Sequence, residues 1–212
     1  MSATYKGSMV ALAPIEGGYC VGIECGSSNS GETYRGIDRK YQPQWAGWKI
    51  IDAYKKKYGR PKYGSFIKDP SLDAAVAQFY TTFWNNKGMA NFRNQTLAGL
   101  LWALVVHREN KGIAHINAVA KKMGAKQFSS NSITANVAQS IERGLPGSYE
   151  VVWNSLKAYY KQFKNGNTFI KNRVEVFPAS LVNKPAPNTG LITKSPGIDA
   201  AGMAMLVYKM FF

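Results

Sequence analysis

The spacing of apolar residues predicts that this chain is mainly helical. After Asp69-Pro70-Ser71, apolar side chains recur every three or four positions, as one face of a helix requires. These side chains are Leu72, Val76, Phe79 and Phe83. A second segment, from Gln95 to His107, is apolar on nearly all sides, which is typical of a helix buried at the centre of a domain. It is too short to cross a bilayer.

Weaker patterns predict further elements on both sides of this central helix. We expect a short helix that ends near Gly17-Gly18, and turns with a small hairpin in the Gly-, Ser- and Asn-rich stretch 20–38. An apolar segment begins at Trp45 and leads into a basic stretch at 54–63. Additional helices are expected at 112–123, 131–143 and 148–163.

The composition changes after Phe177, where prolines exclude a continuous helix or a central strand. These are Pro178, Pro185, Pro187 and Pro196. The last residues, 200–212, are again largely apolar. We therefore predict a domain over 1–177 and a Pro-rich arm over 178–212, whose apolar end packs on the domain or docks on a partner.

The charge narrows the class of partner. With 27 Lys+Arg against 12 Asp+Glu, the net charge is +15, which favours a polyanion such as nucleic acid, an anionic membrane surface or a bacterial cell wall. The basic residues are spread along the chain, without the arginine-rich tail or repeated basic-aromatic pattern that favours nucleic acid. The apolar stretch at 9–13 is too short for a secretory signal, and no segment is long enough for a membrane span.

The cysteines and histidines do not predict a metal site. Cys20 and Cys25 lie five positions apart with no histidine nearby, so we expect free thiols, with a disulfide as the alternative. His107 and His115 lack neighbouring Cys or paired carboxylates and are expected to be helix-face residues. The sequence predicts no metal and no organic cofactor.

Glu16 is the candidate catalytic residue. Cleavage of a glycosidic bond needs a carboxylic acid that stays protonated near neutral pH. The segment Ile15-Glu16-Gly17-Gly18-Tyr19 predicts a glutamate at a helix end before a glycine-rich turn, where we expect burial beside Ile15 and Tyr19 to raise the pKa of the carboxyl.

Three segments at short spacing carry a resemblance to a known family. They are E-G-G-Y at 16–19, G-E-T-Y-R-G-I-D at 31–38 and W-A-G-W at 45–48. In this order they resemble glycoside hydrolase family 108, which contains lysozyme-like N-acetylmuramidases, several of them phage endolysins. The resemblance is strong over 16–52, patchy over 76–177 and absent beyond 178. It implies a lysozyme-like fold with a loop-rich, β-hairpin N-terminal lobe, a catalytic segment at 14–52 and a peptidoglycan-binding helical part at about 90–177.

The resemblance also implies roles for individual residues. Glu16 is the general acid, and Thr33 lies beside it and positions water. Glu32 is either a second carboxylate or, as we favour, a brace that accepts hydrogen bonds from backbone amides. Trp48 and Trp84 either stack on sugar rings or pack in the core. The set assigned to substrate binding is Tyr19, Glu32, Tyr34, Trp48 and Trp84.

The second catalytic position departs from the pattern of related lysozymes, which place Asp or Cys nine residues after the glutamate. Counting from Glu16 leads to Cys25, our first choice, while Ser28 and Glu24 remain alternatives because the loop is lengthened.

The sequence therefore predicts a peptidoglycan hydrolase that cleaves the β-1,4 bond between N-acetylmuramic acid and N-acetylglucosamine. It is expected to be made in the cytoplasm and to reach the cell wall through a holin, a virion or a contractile injection device, with 178–212 as the docking segment. The alternative is a weakly active or inactive lysozyme-fold part of a phage tail or injection device. A nucleic-acid binder is the third reading and rests on charge alone.

Overall fold

The computed structural model describes residues 2–12, 17–26 and 31–177. Glu16, Ser28 and the predicted arm at 178–212 lie outside these residues. Within them the chain forms seven α-helices and one small sheet, which confirms the prediction of a mainly helical protein.

One helix and then three strands come first in the chain, and the other six helices follow. The helices are α1 Tyr5–Leu12, α2 Gly47–Tyr58, α3 Pro70–Asn86, α4 Gln95–Lys122, α5 Ala135–Glu142, α6 Gly147–Lys161 and α7 Gly166–Arg173. The strands are β1 Tyr19–Val21, β2 Glu32–Tyr34 and β3 Ile37–Asp38, which form an antiparallel sheet in the order β1-β2-β3. The sheet lies between α1 and α2 in the sequence, as the glycine-rich composition predicts.

Polar side chains fix where three of the helices begin. The Asp69 carboxylate accepts hydrogen bonds from the backbone amides of Ser71 and Leu72, and Pro70 occupies the first turn of α3. Asn94 caps α4 and Thr134 caps α5 in the same way. Each such cap contributes about 1 kcal/mol, because it satisfies amides that have no partner inside the helix.

Helix α4 forms the centre of the core. Its first half is buried on nearly all sides, as its composition predicts. Helix α1 packs against it, and Gln95 binds Thr4 through its side-chain oxygen at 2.8 Å from the Thr4 amide. The predicted helix at 112–123 is the continuation of α4, beyond a break at Glu109 where φ is 43° and ψ is −119°. The buried apolar residues of the first half are Leu97, Ala98, Leu100, Leu101, Trp102, Ala103, Leu104 and Val105.

The buried face of α3 is rotated from the predicted one. Leu72 and Val76 are buried as expected, but the face continues through Tyr80 and Trp84, which are both 2% exposed. Phe79 and Phe83, assigned to the core face from their spacing, are only half-buried and line a groove instead. Apolar spacing alone does not distinguish a core face from a groove wall, because both place apolar side chains at helical intervals.

Two helices lack a prediction. The segment at 47–58 was expected only to be apolar and basic, yet it forms α2, which buries Trp48 and Ile51 and ends before Gly59 at φ 80°. Helix α7 has a polar sequence and follows α6 closely. In the described part of the chain, no helix is long and apolar enough to cross a membrane.

Candidate active site

The backbone after Glu16 is fixed against a distant loop, although Glu16 itself lies outside the described residues. The Tyr19 amide donates to the Ser65 carbonyl at 2.9 Å, and the Gly64 amide donates to the Tyr19 carbonyl at 2.8 Å. A Cβ at Gly18 would overlap the Gly64 carbonyl oxygen, so only glycine permits this approach. The second glycine of the E-G-G-Y segment therefore has a packing role.

The hairpin register divides the sheet residues between two faces. Tyr34 and Ile37 flank a two-residue turn, Arg35-Gly36, in which φ is 48° and 78°. Positive φ at both turn positions matches the type I′ turn that joins antiparallel strands tightly. In this register Thr33 lies opposite both Cys20 and Asp38. Since strand side chains alternate, these three share one face, while Tyr19, Glu32 and Tyr34 share the other.

Glu32 is held by side-chain cations rather than by the backbone amides that we expected. Arg39 Nη1 donates to its Oε2 at 2.7 Å, Lys55 Nζ donates to its Oε1 at 2.8 Å, and the Tyr19 hydroxyl also donates to Oε1 at 2.8 Å. Burial opposes ionisation, but hydrogen bonds from Lys55, Arg39 and Tyr19 outweigh it and lower the pKa of Glu32. The carboxylate braces the hairpin and is not poised to donate a proton at neutral pH.

Four rings assigned to substrate binding are buried, which corrects that assignment. Tyr19 and Tyr34 are 1% and 0% exposed, and Trp48 and Trp84 are both 2% exposed. Trp48 donates its ring nitrogen proton to the Gln42 carbonyl at 2.7 Å, and Arg39 covers its face. A ring with so little exposed surface cannot stack on a sugar, so these four rings belong to the core.

The cysteines form a disulfide, which corrects the expectation of free thiols. Cys25, our first choice for the second catalytic position, therefore has no thiol proton and no nucleophilic sulfur. Glu24, one alternative, forms an ion pair with Arg60 and accepts a hydrogen bond from the Val21 amide at 3.1 Å. Ser28, the other alternative, lies outside the described residues.

Thr33 is one of seven described residues with a buried side-chain nitrogen or oxygen that lacks a hydrogen-bond partner, and it lies in the hairpin. Its hydroxyl oxygen is buried, and among the described residues it has no hydrogen-bond partner. A buried hydroxyl without a partner costs about 1–3 kcal/mol. A bond to a ligand or to a neighbouring functional residue is one way to offset such a cost.

Beside the hairpin lies a groove of about 910 Å³, within the size range of ligand sites. The hairpin turn and the following loop form one wall, and α3 and the break in α4 form the other. Its half-buried aromatic side chains are Trp45, Phe79 and Phe83, with the exposed Tyr41 at the rim. Aromatic surface of this kind packs well against the apolar faces of sugar rings.

Asp38 is a groove residue that the sequence analysis missed. It lines the groove and lies opposite Thr33 in the hairpin. Its carboxylate accepts hydrogen bonds from the backbone amides of Lys40 at 2.8 Å and Gly31 at 3.3 Å. The signal was present in the sequence, because a two-residue Arg35-Gly36 turn brings positions 33 and 38 opposite each other.

The far end of the groove carries a charged pair at the break in α4. Lys87 Nζ lies 3.0 Å from Glu109 Oε1 and 3.0 Å from Asn110 Oδ1. The positive φ of Glu109 is uncommon for a residue with a side chain and costs about 1–3 kcal/mol. The surrounding contacts must therefore hold this conformation in place.

The two histidines are placed on helix faces, away from the groove lining. His107 Nδ1 lies 3.3 Å from the Tyr160 hydroxyl, and burial, together with Arg173 and Arg108, lowers the pKa of His107 to about 4. His115 Nε2 lies 3.0 Å from Ser155 Oγ. Among the described residues, no group of three His, Cys, Asp or Glu side chains is arranged to hold a metal ion.

Compared with protein-family models, curated proteins and solved structures, the chain gives no match.

Proposed function

We propose that this protein is a peptidoglycan hydrolase of the N-acetylmuramidase class with a lysozyme-like fold. The observation that carries the proposal is the pairing of Thr33 with Asp38. A buried hydroxyl without a described partner lies opposite a carboxylate at the edge of an aromatic groove. This pairing occurs in the segment whose sequence resembles family 108.

The groove suits a sugar polymer better than a small charged metabolite. Its walls combine aromatic surface with the amide and hydroxyl groups of Gln42, Gln78, Thr82 and Asn131 and with the carboxylate-bearing residues Asp38 and Glu109. Saccharides need both kinds of contact, because each ring has apolar faces and a polar edge. The net charge of +15 also attracts a wall polymer that carries carboxylates.

In the proposed reaction, Glu16 donates its proton to the oxygen that bridges N-acetylmuramic acid and N-acetylglucosamine. The bond from that oxygen to the anomeric carbon breaks, and water adds to the carbon and releases one proton, which replaces the proton that Glu16 donated. Thr33 is proposed to position Glu16 or the water through its hydroxyl. Asp38 is proposed as the carboxylate that orients the water or stabilises positive charge at the anomeric carbon, in place of Cys25.

The identity of the cleaved bond tests this proposal directly. Purified sacculi are digested with the full chain, the products are reduced with borohydride, and mass spectrometry identifies the reduced sugar. A muramidase yields reduced N-acetylmuramic acid at the new ends. Reduced N-acetylglucosamine, or cleavage of the peptide stems, would contradict the proposal.

The disulfide and the ion pairs in and beside the hairpin favour a second candidate function. Cys25 is in a disulfide, and Glu24 and Glu32 are both in ion pairs, so three of the residues considered for acid–base chemistry are committed elsewhere. A lysozyme-fold part that binds the wall without cutting it fits this arrangement. Co-sedimentation with sacculi without release of muropeptides would support it over the enzyme.

We also propose that the protein acts at the cell wall after delivery by a holin, a virion or an injection device. The segment 178–212 lies outside the described residues and is the proposed docking element. Phe177, the last described residue, is held against α6, because its carbonyl accepts a hydrogen bond from the Tyr149 hydroxyl at 2.6 Å. Deletion of 178–212 should therefore leave thermal unfolding unchanged, whereas an unfolded product would place the arm in the core.

A further inference from the structure

The segment 53–68, at the end of α2 and in the following loop, carries basic but no acidic side chains. Two of its cations are committed, since Lys55 pairs with Glu32 and Arg60 pairs with Glu24. Lys56, Lys57 and Lys62 are exposed and form no ion pair with a described carboxylate. A concentrated positive surface remains after the structural ion pairs are subtracted.

Aromatic side chains stand among these lysines. Tyr58, Tyr63 and Phe66 are 63%, 66% and 51% exposed. Among the described residues only five Phe, Tyr or Trp side chains are exposed, and three of the five lie in this segment. Exposed aromatic rings beside uncompensated charge are typical of a binding surface rather than of a core that is incompletely packed.

The backbone that displays these rings is fixed. Gly64 and Ser65 are hydrogen-bonded to Tyr19 on β1, and the Ile67 amide donates to the Tyr34 hydroxyl at 3.2 Å. Ile67 is 5% exposed and anchors the loop in the core. Tyr63 and Phe66 therefore point outward from an ordered loop, which reduces the entropy lost on binding a partner.

This surface continues from the edge of the groove. The Arg35 guanidinium lies 5.0 Å from the centre of the Phe66 ring and forms an ion pair with Asp73 at 3.1 Å. Arg35 is the first residue of the hairpin turn, and Gly36, the second, lines the groove. A polymer that leaves the groove over the turn would meet Phe66 next.

We propose that this basic–aromatic surface, formed by Lys56, Lys57, Lys62, Tyr58, Tyr63 and Phe66, binds a part of the peptidoglycan strand that extends beyond the groove. The aromatic rings pack against sugar faces, and the lysines pair with carboxylates of the peptide stems. The choice of polymer rests on the proposed function. A lipid partner is less suited, because interfacial binding normally uses a helix with an apolar face, and two of these three rings carry a hydroxyl.

Binding to sacculi by the full chain carrying Glu16→Gln tests this surface without digestion of the target. One surface variant is Tyr63→Ser/Phe66→Ser, matched by Phe128→Ser, a change at an aromatic residue that is 42% exposed elsewhere. The other is Lys56→Gln/Lys57→Gln/Lys62→Gln, matched by Lys121→Gln/Lys122→Gln/Lys126→Gln, which removes the same charge from exposed positions. Thermal unfolding of every variant checks that the fold is retained.

We expect each surface variant to weaken sacculus binding by about tenfold and each control to weaken it by less than about twofold. Equal losses in the two lysine triples would overturn the proposal, because they would mean that net charge alone drives binding. Vesicles of phosphatidylglycerol and phosphatidylcholine, and an oligothymidine, serve as competing targets. The proposal would also be overturned if the surface variants lost binding to the vesicles or to the oligothymidine while their binding to sacculi was unchanged.

The outcome is separable from that of hydrolysis. If the parent chain releases no muropeptides, the proposed enzyme fails, while the binding comparison still decides the role of the surface. If the parent cuts sacculi and both surface variants bind them as tightly as the matched controls, only the surface proposal fails.

Discussion

Thr33 and Asp38 lie opposite each other across β2 and β3, on the face of the hairpin away from Tyr34. This pair follows the Tyr34–Ile37 pair that flanks the turn. Its two residues do not exchange backbone hydrogen bonds, and in such pairs the side chains are close neighbours. Thr33 has a buried hydroxyl without a described partner, and Asp38 is a groove-lining residue whose carboxylate accepts hydrogen bonds from two backbone amides. The proposed chemistry depends on this juxtaposition.

Thr33→Val should separate function from stability. Valine has nearly the same shape and removes a buried hydroxyl that has no described partner, so the free energy of unfolding should stay equal or rise by about 1 kcal/mol. If the hydroxyl serves the reaction, muropeptide release should fall by about tenfold or more. Turnover and thermal unfolding are measured side by side, with Thr33→Ser retaining most activity. Full activity in Thr33→Val would remove the residue from the mechanism.

Asp38→Asn should lower the turnover number more than it changes KM. The single amide oxygen of asparagine can still accept the 2.8 Å hydrogen bond from the Lys40 amide, and only the longer bond from the Gly31 amide is lost, so most of the loop's hydrogen bonding should be preserved. Loss of the negative charge should reduce the rate by about 100-fold or more if the carboxylate assists water or stabilises positive charge. Glu24→Gln, which alters a carboxylate paired with Arg60, is the control. A loss of less than about twofold in Asp38→Asn would assign Asp38 a structural role only.

Glu32→Gln should reduce stability at neutral pH by about 1 kcal/mol or more, because it removes the less exposed of the two anions that Arg39 and Lys55 share, while Asp52 still pairs with both. The pKa of Glu32 in the folded protein lies below its ordinary value of 4.5, so the carboxylate stabilises the fold above that pH. This stabilisation is lost as the pH falls through the lowered pKa.

Denaturant unfolding across acid pH checks the Glu32 prediction. The parent should lose stability on acidification more steeply than Glu32→Gln. Asp73→Asn is the matched control, since the Arg35–Asp73 pair is exposed and should contribute less than about 1 kcal/mol. Parallel pH profiles for the parent and Glu32→Gln would contradict the assigned role.

Reduction of the Cys20–Cys25 disulfide should lower stability by about 2 kcal/mol, the entropy expected for closing so short a loop. Thermal unfolding with and without a reducing agent measures this, and Cys20→Ser/Cys25→Ser should show the lower melting temperature in both conditions. Activity well below that temperature should persist, since neither sulfur is assigned a catalytic step. If the reducing agent does not change the melting temperature of the parent, the cysteines are unpaired in solution.

Features that follow from local chemistry could be predicted from the sequence. The Asp69-Pro70 start of α3 and the buried segment after Gln95 follow from capping and all-round apolarity, and both agree with the structure. The sequence did not predict α2, because its lysine run and its glycine weaken the apolar pattern to which Trp48 and Ile51 contribute. Helix α7 depends on packing against α6, which a single-chain pattern does not contain.

The site was predicted less completely than the fold. The chemical importance of position 33 came from a resemblance, whereas the burial of Trp48 and Trp84 depends on residues distant in sequence. The sequence does not distinguish an aromatic residue of the core from one that lines a groove. Trp84, assigned to substrate binding, lies in the core, whereas Phe79 and Phe83 line the groove. Asp38 was overlooked because the search for a second carboxylate followed sequence spacing from Glu16 rather than the register across the hairpin.

The central claim is that the carboxyl of Glu16 supplies the proton for cleavage. The most direct measurement is the initial rate of muropeptide release from purified sacculi by the parent, by Glu16→Gln and by Glu150→Gln, a control at an exposed glutamate in the first turn of α6. We expect Glu16→Gln to lose at least about 100-fold in rate while still binding sacculi, and Glu150→Gln to match the parent. A Glu16→Gln chain that releases muropeptides at the parent rate would contradict the account.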